Sequence, residues 1–165
     1  MASVRFPNKP MALIDGKTMI QRVWEQAIQS NLGEVIVACS EIEIYNLINS
    51  LGGKAEMTNP NLPSGTDRIF EAINNYSNIS YYDSIINLQG DMPIINPKDI
   101  EKTNIPLKQG FDMGTLVTEL TEDQARDTNV TKVPMSNPCC NGIFTFSISS
   151  GLIIGISPCR FIMLS

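Results

Sequence analysis

The chain has 165 residues, 12 Lys and Arg against 17 Asp and Glu, and 42% hydrophobic residues. That composition is one globular domain or a piece of one, and a formal charge of -5 lacks the basic footprint of a nucleic-acid binder. Histidine is absent, which excludes Ser-His-Asp and Cys-His nucleophile chemistry and His-ligated zinc, because there is no imidazole to take a proton or bind metal.

In chain order, Met1 to Pro10 has no apolar core of the kind a secretory signal needs. Met19, Ile20, Val23, Trp24, Ala27 and Ile28 recur at helical spacing and predict a helix over 18–31, with Gly33 just past its end. Val35-Ile36-Val37-Ala38 is a continuous apolar run, the pattern of a strand covered on both faces in a parallel sheet. A second helix is predicted over 41–51, closed by Gly52-Gly53, then a short strand over 55–57 and a polar loop to Gly65. A third helix over 66–76 and a strand over 84–88 follow, the strand running straight into Gln89-Gly90-Asp91. Pro97 to Lys102 predicts a short helix with Pro at its start, Gly114 to Leu120 a strand, and Thr121 to Arg126 a helical turn. The alternation of strand and helix predicts an α/β fold with a mostly parallel sheet and helices on both faces.

The composition changes sharply near residue 137. Residues 138–165 carry only Arg160 of the 29 charged residues and hold three of the four cysteines. Residues 1–137 are therefore expected to form the domain. Residues 138–165 are expected to be a divergent apolar tail, with the loss of charge that a reading-frame shift produces. Ser, Gly, Asn and Pro interrupt that tail too often for a membrane span of about 20 apolar residues, so no membrane partner is expected; the alternative to a tail unmatched to the rest of the domain is a set of buried strands. The cysteines, Cys39, Cys139, Cys140 and Cys159, form no C-x-x-C pair, which favours a reducing compartment over a disulfide framework.

Three polar stretches fall where an α/β sheet places its ligand, after the carboxyl ends of strands. Arg5-Phe6-Pro7-Asn8-Lys9-Pro10 sets a guanidinium fork and a point charge four residues apart, a pair able to neutralise a polyphosphate, although such residues are also common as solvated charges. Ser64-Gly65-Thr66-Asp67-Arg68 opens a helix, where hydroxyls and free N–H groups suit a polar or anionic ligand, and where Ser64 or Thr66 also suits a plain N-cap. Leu88-Gln89-Gly90-Asp91-Met92-Pro93 ends a buried strand with a carboxylate that could share Mg²⁺ with substrate phosphates, or simply sit in a tight turn.

Taken together, Ala2-Ser3-x-Arg5-x-Pro7-x-Lys9-Pro10, Ile14-Asp15-Gly16-Lys17, Gly52-Gly53, Met57-Thr58, Ser64-Gly65-Thr66-Asp67-Arg68, Asn87-Leu88-Gln89-Gly90-Asp91-x-Pro93 and Met113-x-Thr115-Leu116 resemble the CTP-dependent sugar-acid nucleotidyltransferases. Within these, the resemblance is to the 3-deoxy-manno-octulosonate (Kdo) cytidylyltransferases, the CMP-Kdo synthetases. It runs from Ala2 to Val133.

The resemblance implies a Rossmann-like nucleotide-diphospho-sugar transferase fold. It implies conversion of CTP and Kdo to CMP-Kdo and pyrophosphate for lipopolysaccharide biosynthesis, in the cytoplasm, by a homodimer. It implies that Arg5 and Lys9 meet the CTP phosphates, that Ser64, Gly65, Thr66 and Arg68 hold the nucleotide, that Gln89 lies at the nucleotide–sugar junction, and that Asp91 binds Mg²⁺. Arg5, Lys9, Gln89 and Asp91 are its catalytic set.

The sequence departs from the family in three ways. The family's first apolar strand, expected at the sheet centre, has no counterpart, so two strands should lack a ladder partner. The family's carboxyl-terminal part, with a second metal-binding Asp, the sugar site and the dimer contacts, is also unmatched. Met92 stands where the family carries an acid. These departures imply an impaired enzyme. The alternatives are a non-catalytic nucleotide-binding or oligomer-associating fragment, or a cytidylyltransferase for another sugar acid such as sialic acid.

Overall fold

The computed structural model describes residues 8–76, 82, 84–116, 121, 123, 126 and 128, and the backbone of residues 160–164. After a 3-10 turn at Lys9–Met11 come the short strands β1 (Leu13–Ile14) and β2 (Lys17–Thr18), helix α1 (Met19–Gln29), β3 (Glu34–Cys39) and α2 (Ile42–Ser50). Next are β4 (Lys54–Met57), α3 (Gly65–Asn75), β5 (Ser84–Leu88), α4 (Pro97–Lys102), α5 (Ile105–Lys108) and finally β6 (Arg160–Leu164).

The main sheet has the order β4-β3-β6-β5 and is parallel throughout. The alternation within β3 explains why its run is apolar without a break. Val35, Val37 and Cys39 face a core with Ile20, Val23 and Ala27 of α1, Ile44 and Ile48 of α2, and Ile86 and Leu88 of β5. Ile36 and Ala38 face the opposite side, against Ile69, Ala72 and Ile73 of α3. Successive strand side chains point to opposite faces, so a strand with helices on both sides is apolar at every position. The α/β fold with helices on both faces is thus present.

The predicted helices and strands up to residue 102 are found, with ends that coincide or shift by at most two residues. The strand expected over 114–120 is reduced, among the described residues, to an isolated bridge at Leu116, and residues 117–120 lie outside them. Most of the turn expected over 121–126 lies outside them as well. Elements that periodicity did not show are the 3-10 turn, the β1–β2 hairpin, α5 and β6.

The expected open seam at the sheet centre is not found. β6, from the apolar tail, lies between β3 and β5. Its register runs from Glu34↔Phe161 to Val37↔Leu164 on one side and from Ser84↔Arg160 to Leu88↔Leu164 on the other. Main-chain groups of a buried strand require ladder partners, and an apolar segment late in the chain supplies them.

Two features fix the layers beside the sheet. Gly53 lets α2 close onto α1, since a Cβ there would lie 2.8 Å from Ile48 Cγ2 and 2.9 Å from the Trp24 ring. At the opposite end from the strands' carboxyl ends, Glu34 accepts hydrogen bonds from Lys54, from Tyr76 Oη at 3.1 Å and from Tyr82 Oη at 2.7 Å. This clasp joins β3, β4, the end of α3 and the entry to β5. Burial pulls the Glu34 carboxyl upward, but the bonds from Lys54, Tyr82 and Tyr76 outweigh it and hold it below the usual carboxylate range.

Candidate active site

The carboxyl ends of β3, β4 and β5 open on one edge of the sheet, and the residues singled out from sequence that are described gather along it. β5 leads through Gln89 and the buried Gly90 to Asp91, and the Asp91 carboxylate meets Lys9 Nζ at 2.9 Å. These two residues are 82 apart in sequence. Their side chains remain 37% and 46% exposed, so the pair is open to a ligand that competes for either charge.

Lys9 is held from behind. Asn8 adopts a left-handed conformation at φ 57, and Met11 N donates to its carbonyl at 3.0 Å to close the 3-10 turn. The chain then enters the hairpin, whose turn residues Asp15 and Gly16 both have positive φ, 49 and 76. Asp-Gly is the dipeptide that a two-residue hairpin of this twist favours. Arg22 of α1 grips the turn, donating from Nε to Ile14 O at 2.7 Å and from Nη2 to Asp15 O at 3.1 Å. Met19 N donates to Ala12 O at 2.9 Å. The basic turn is thus tied to the amino end of α1 before it reaches Asp91.

The second stretch divides into two roles. Ser64 is the N-cap of α3: its Oγ accepts from Asp67 N at 3.2 Å and donates to the Asp67 carboxylate. That is the capping reading of the sequence, and it engages the Ser64 hydroxyl on both sides. Gly65 is the first residue of α3, and Thr66 lies half-buried in its first turn. Arg68 turns inward, donating from Nη1 to Thr58 Oγ1 at 2.6 Å. Thr58 is buried and passes the connection on, donating from Oγ1 to Cys39 O at 3.0 Å and from its backbone N–H to the same carbonyl at 2.8 Å. Arg68 is therefore engaged with the carboxyl end of β3 through Thr58.

Gln89 is half-buried and donates from Nε2 to Asn87 Oδ1 at 2.9 Å, which orients its amide along the exit of β5. Arg5 lies outside the described residues. Cys39, at the same edge, is buried, and burial pushes its thiol up to about 11, helped by Glu41 and partly offset by Arg68. That thiol is no nucleophile at neutral pH.

Sequence reasoning assigned no role to Thr58 or Arg22. A Thr directly after a strand and an Arg one turn into a helix behind an Asp-Gly pair are the signals available, and each becomes specific only once the fold supplies its partner.

An edge of strand carboxyl ends, a lysine on an aspartate and a capped helix start describe a polyphosphate site in general terms. The cytidylyltransferase family model matches residues 1–143. The chain belongs to the cytidylyltransferase family. A similar protein is the 3-deoxy-manno-octulosonate cytidylyltransferase of Paramagnetospirillum magneticum, 43% identical over 134 residues, covering 80% of this chain and 54% of the relative. Another is the 8-amino-3,8-dideoxy-manno-octulosonate cytidylyltransferase of Shewanella pealeana, 44% identical over 140 residues, covering 82% of this chain and 57% of the relative. The fold resembles a solved structure of CMP:2-keto-3-deoxy-manno-octonic acid synthetase complexed with CTP. The TM-score is 0.59 at 40% identity, with 65% of this chain and 43% of that chain covered. This cytidylyltransferase chain spans about half the length of the curated relatives it matches.

Proposed function

We propose that this chain carries the CTP-binding part of a sugar-acid cytidylyltransferase whose acceptor is Kdo or a close analogue. The observation that carries the reading is the meeting of Lys9 and Asp91 at the edge where β5 ends, in a chain of this family. In the reaction, an oxygen of the acceptor's anomeric hydroxyl attacks the α-phosphorus of CTP. The bond from that phosphorus to the bridging oxygen breaks, pyrophosphate leaves and the hydroxyl proton passes to water. Such a displacement depends on position and charge neutralisation more than on a covalent nucleophile. This fits a site that contains no histidine and whose cysteine is buried.

Each residue has a role in this reading. Lys9, with Arg5 beside it in sequence, neutralises the triphosphate. The amino end of α3, at Gly65 and Thr66, offers N–H groups to the nucleotide, while Ser64 and Arg68 keep that end in place. Gln89 orients the acceptor or the ribose at the mouth of β5.

Among the described residues no cluster of three or more His, Cys, Asp or Glu could hold a metal ion by itself. A single half-exposed carboxylate suits Mg²⁺, which is commonly bound by one or two carboxylates together with substrate phosphates. Asp91 would hold it, and the bound ion would supply charge neutralisation at the phosphates. The reading places the protein where CTP is available, in the cytoplasm. Among the described residues no helix is long and apolar enough to cross a membrane.

The decisive experiment is calorimetric titration with CTP, ATP and GTP in the presence of Mg²⁺, followed by a pyrophosphate-release assay with Kdo and with its 8-amino analogue. Preferential CTP binding with release on one of the sugars supports the reading, and the preferred sugar fixes the acceptor. CTP binding without release favours the non-catalytic nucleotide-binding alternative. No CTP binding overturns both.

A further inference from the structure

The connection from β4 to α3 is held at both ends by the helix it leads into. It runs from Thr58 to Ser64, and Ser64 caps α3, its Oγ accepting from Asp67 N. At the other end Arg68 Nη1 donates to Thr58 Oγ1 at 2.6 Å, and Glu71 Oε1 accepts from the backbone N–H of the next residue, Asn59, at 2.7 Å. Side chains on a helix lean toward its amino end, and residues three apart share a face. Arg68 and Glu71 therefore reach back together, a cation and an anion gripping two successive residues at the exit of β4.

The Glu71 contact differs in kind from those of Thr58. Thr58 is buried, and its hydroxyl needs partners inside the protein. Asn59 is exposed, where water would satisfy its N–H, so the bond to Glu71 fixes the position of the chain and relieves no burial penalty. What it fixes is a loop already short of freedom. Pro60 and Pro63 set two of its φ angles, and Asn61 N donates to Asn59 Oδ1 at 2.9 Å. That turn is built on Asn59, so its orientation is inherited from the residue that Glu71 holds. The loop ends at Ser64, directly before Gly65 and Thr66 at the amino end of α3.

We propose that Glu71 is a positioning residue for ligand binding: through Asn59 it holds residues 59–63 as a preformed wall beside the amino end of α3. A nucleotide seated on the N–H groups of Gly65 and Thr66 then meets that wall without having to order it. The inference rests on the reading of α3 as part of a nucleotide site, and it adds a residue that itself touches no ligand. Without the Glu71 oxygen the loop keeps its anchors at Thr58 and Ser64 but loses the one that orients its turn. The fraction of molecules with the wall in place falls, and apparent affinity falls with it.

The test compares the parent chain with Glu71→Ala and Glu71→Gln. Gln keeps an oxygen that can accept from Asn59 N, whereas Ala does not, and Ala is the best helix former, so α3 is preserved. Hydrogen exchange read by NMR should show the Asn59 and Asn61 amides exchanging about three- to tenfold faster in Glu71→Ala and near the parent rate in Glu71→Gln. Calorimetric titration with CTP and Mg²⁺ should show binding about three- to tenfold weaker in Glu71→Ala and close to that of the parent in Glu71→Gln. CTP binding by Glu71→Ala equal to that of the parent overturns the proposal and leaves the nucleotide reading standing. Equal losses in the two variants overturn it as well, because charge and not the Asn59 bond would then be at work, and so does unchanged exchange at Asn59 and Asn61. No CTP binding by the parent overturns both the proposal and the nucleotide reading.

Discussion

Lys9 and Asp91 decide between a site and a surface ion pair, and the two alternatives differ in where the energy of a substitution is felt. At 2.9 Å two unit charges in bulk water attract by about 1.4 kcal/mol. Side-chain entropy and salt reduce this for a pair as exposed as this one, leaving a net of about 0.2–1 kcal/mol. Lys9→Met should therefore lower stability by less than about 1 kcal/mol in urea denaturation. A charged hydrogen bond to a bound phosphate is worth about 1.5–3 kcal/mol, so the same substitution should weaken CTP roughly 10- to 150-fold. Asp91→Asn should leave stability similarly unchanged, while removing the Mg²⁺-dependent part of CTP affinity. Titration of both variants with and without Mg²⁺, beside their urea curves, separates the effects. A Lys9→Met protein that loses several kcal/mol of stability and binds CTP as before would refute the reasoning, because the pair would then be a structural strut.

Thr58→Val keeps the shape of a buried side chain but leaves Arg68 without the oxygen it meets at 2.6 Å. It should cost about 1–3 kcal/mol of stability, read from chemical denaturation, and a double-mutant cycle with Arg68→Met should show the two losses to be shared. Gly53→Ala inserts a methyl 2.8 Å from Ile48 Cγ2 and 2.9 Å from the Trp24 ring, which should destabilise by about 1–3 kcal/mol through overpacking; an unchanged melting temperature would contradict the close approach of α1 and α2. Glu34 has a lowered carboxyl pKa in the fold, so its contribution is present above the ordinary value of 4.5 and disappears as pH falls through the lower folded value. The melting temperature of the parent should accordingly fall more steeply below about pH 4.5 than that of Glu34→Gln, and parallel curves would count against the clasp.

The parts of the fold legible in the sequence are those specified by near neighbours. The apolar spacing in α1 and the unbroken run of β3 are imprinted by one or two contacting layers, so periodicity finds them. The β1–β2 hairpin has strands of two residues each, too short for any period, and only the Asp15-Gly16 dipeptide marks it. α5 is one turn long, and Pro106 near its start is the only local cue. The site shows the same division. Asp91 and Ser64 stood out because strand exits and helix starts have local signatures, and the capping role of Ser64 follows from its spacing to Asp67. That Lys9 would meet Asp91, or Arg68 would turn to Thr58, depends on which strand ends lie side by side. No window of sequence encodes that order, and β6 shows it most clearly: five residues after a long stretch with no sharp period take one of the two interior positions in the sheet.

The two sides of the candidate site differ in a way that bears on how it would work. On the β3–β4 side, Thr58 is buried, its hydroxyl is engaged with both Arg68 and Cys39 O, and Asn59 N is held by Glu71 at 2.7 Å. A ligand there meets Thr58, Arg68 and Glu71 already committed to internal bonds and fits them as they stand, with the N–H groups at the amino end of α3 left to meet it. On the β5 side, Lys9 and Asp91 satisfy each other in the open and can part at little cost once phosphate and a divalent cation offer each a better partner. Under the proposed function, a preorganised wall and an exchangeable ion pair would hold a nucleotide by shape on one side and meet its charge on the other. It works only while the two sides are held in one sheet. β6 is the strand that joins them, so the outermost consequence of its pairing is the distance between Arg68 and Asp91.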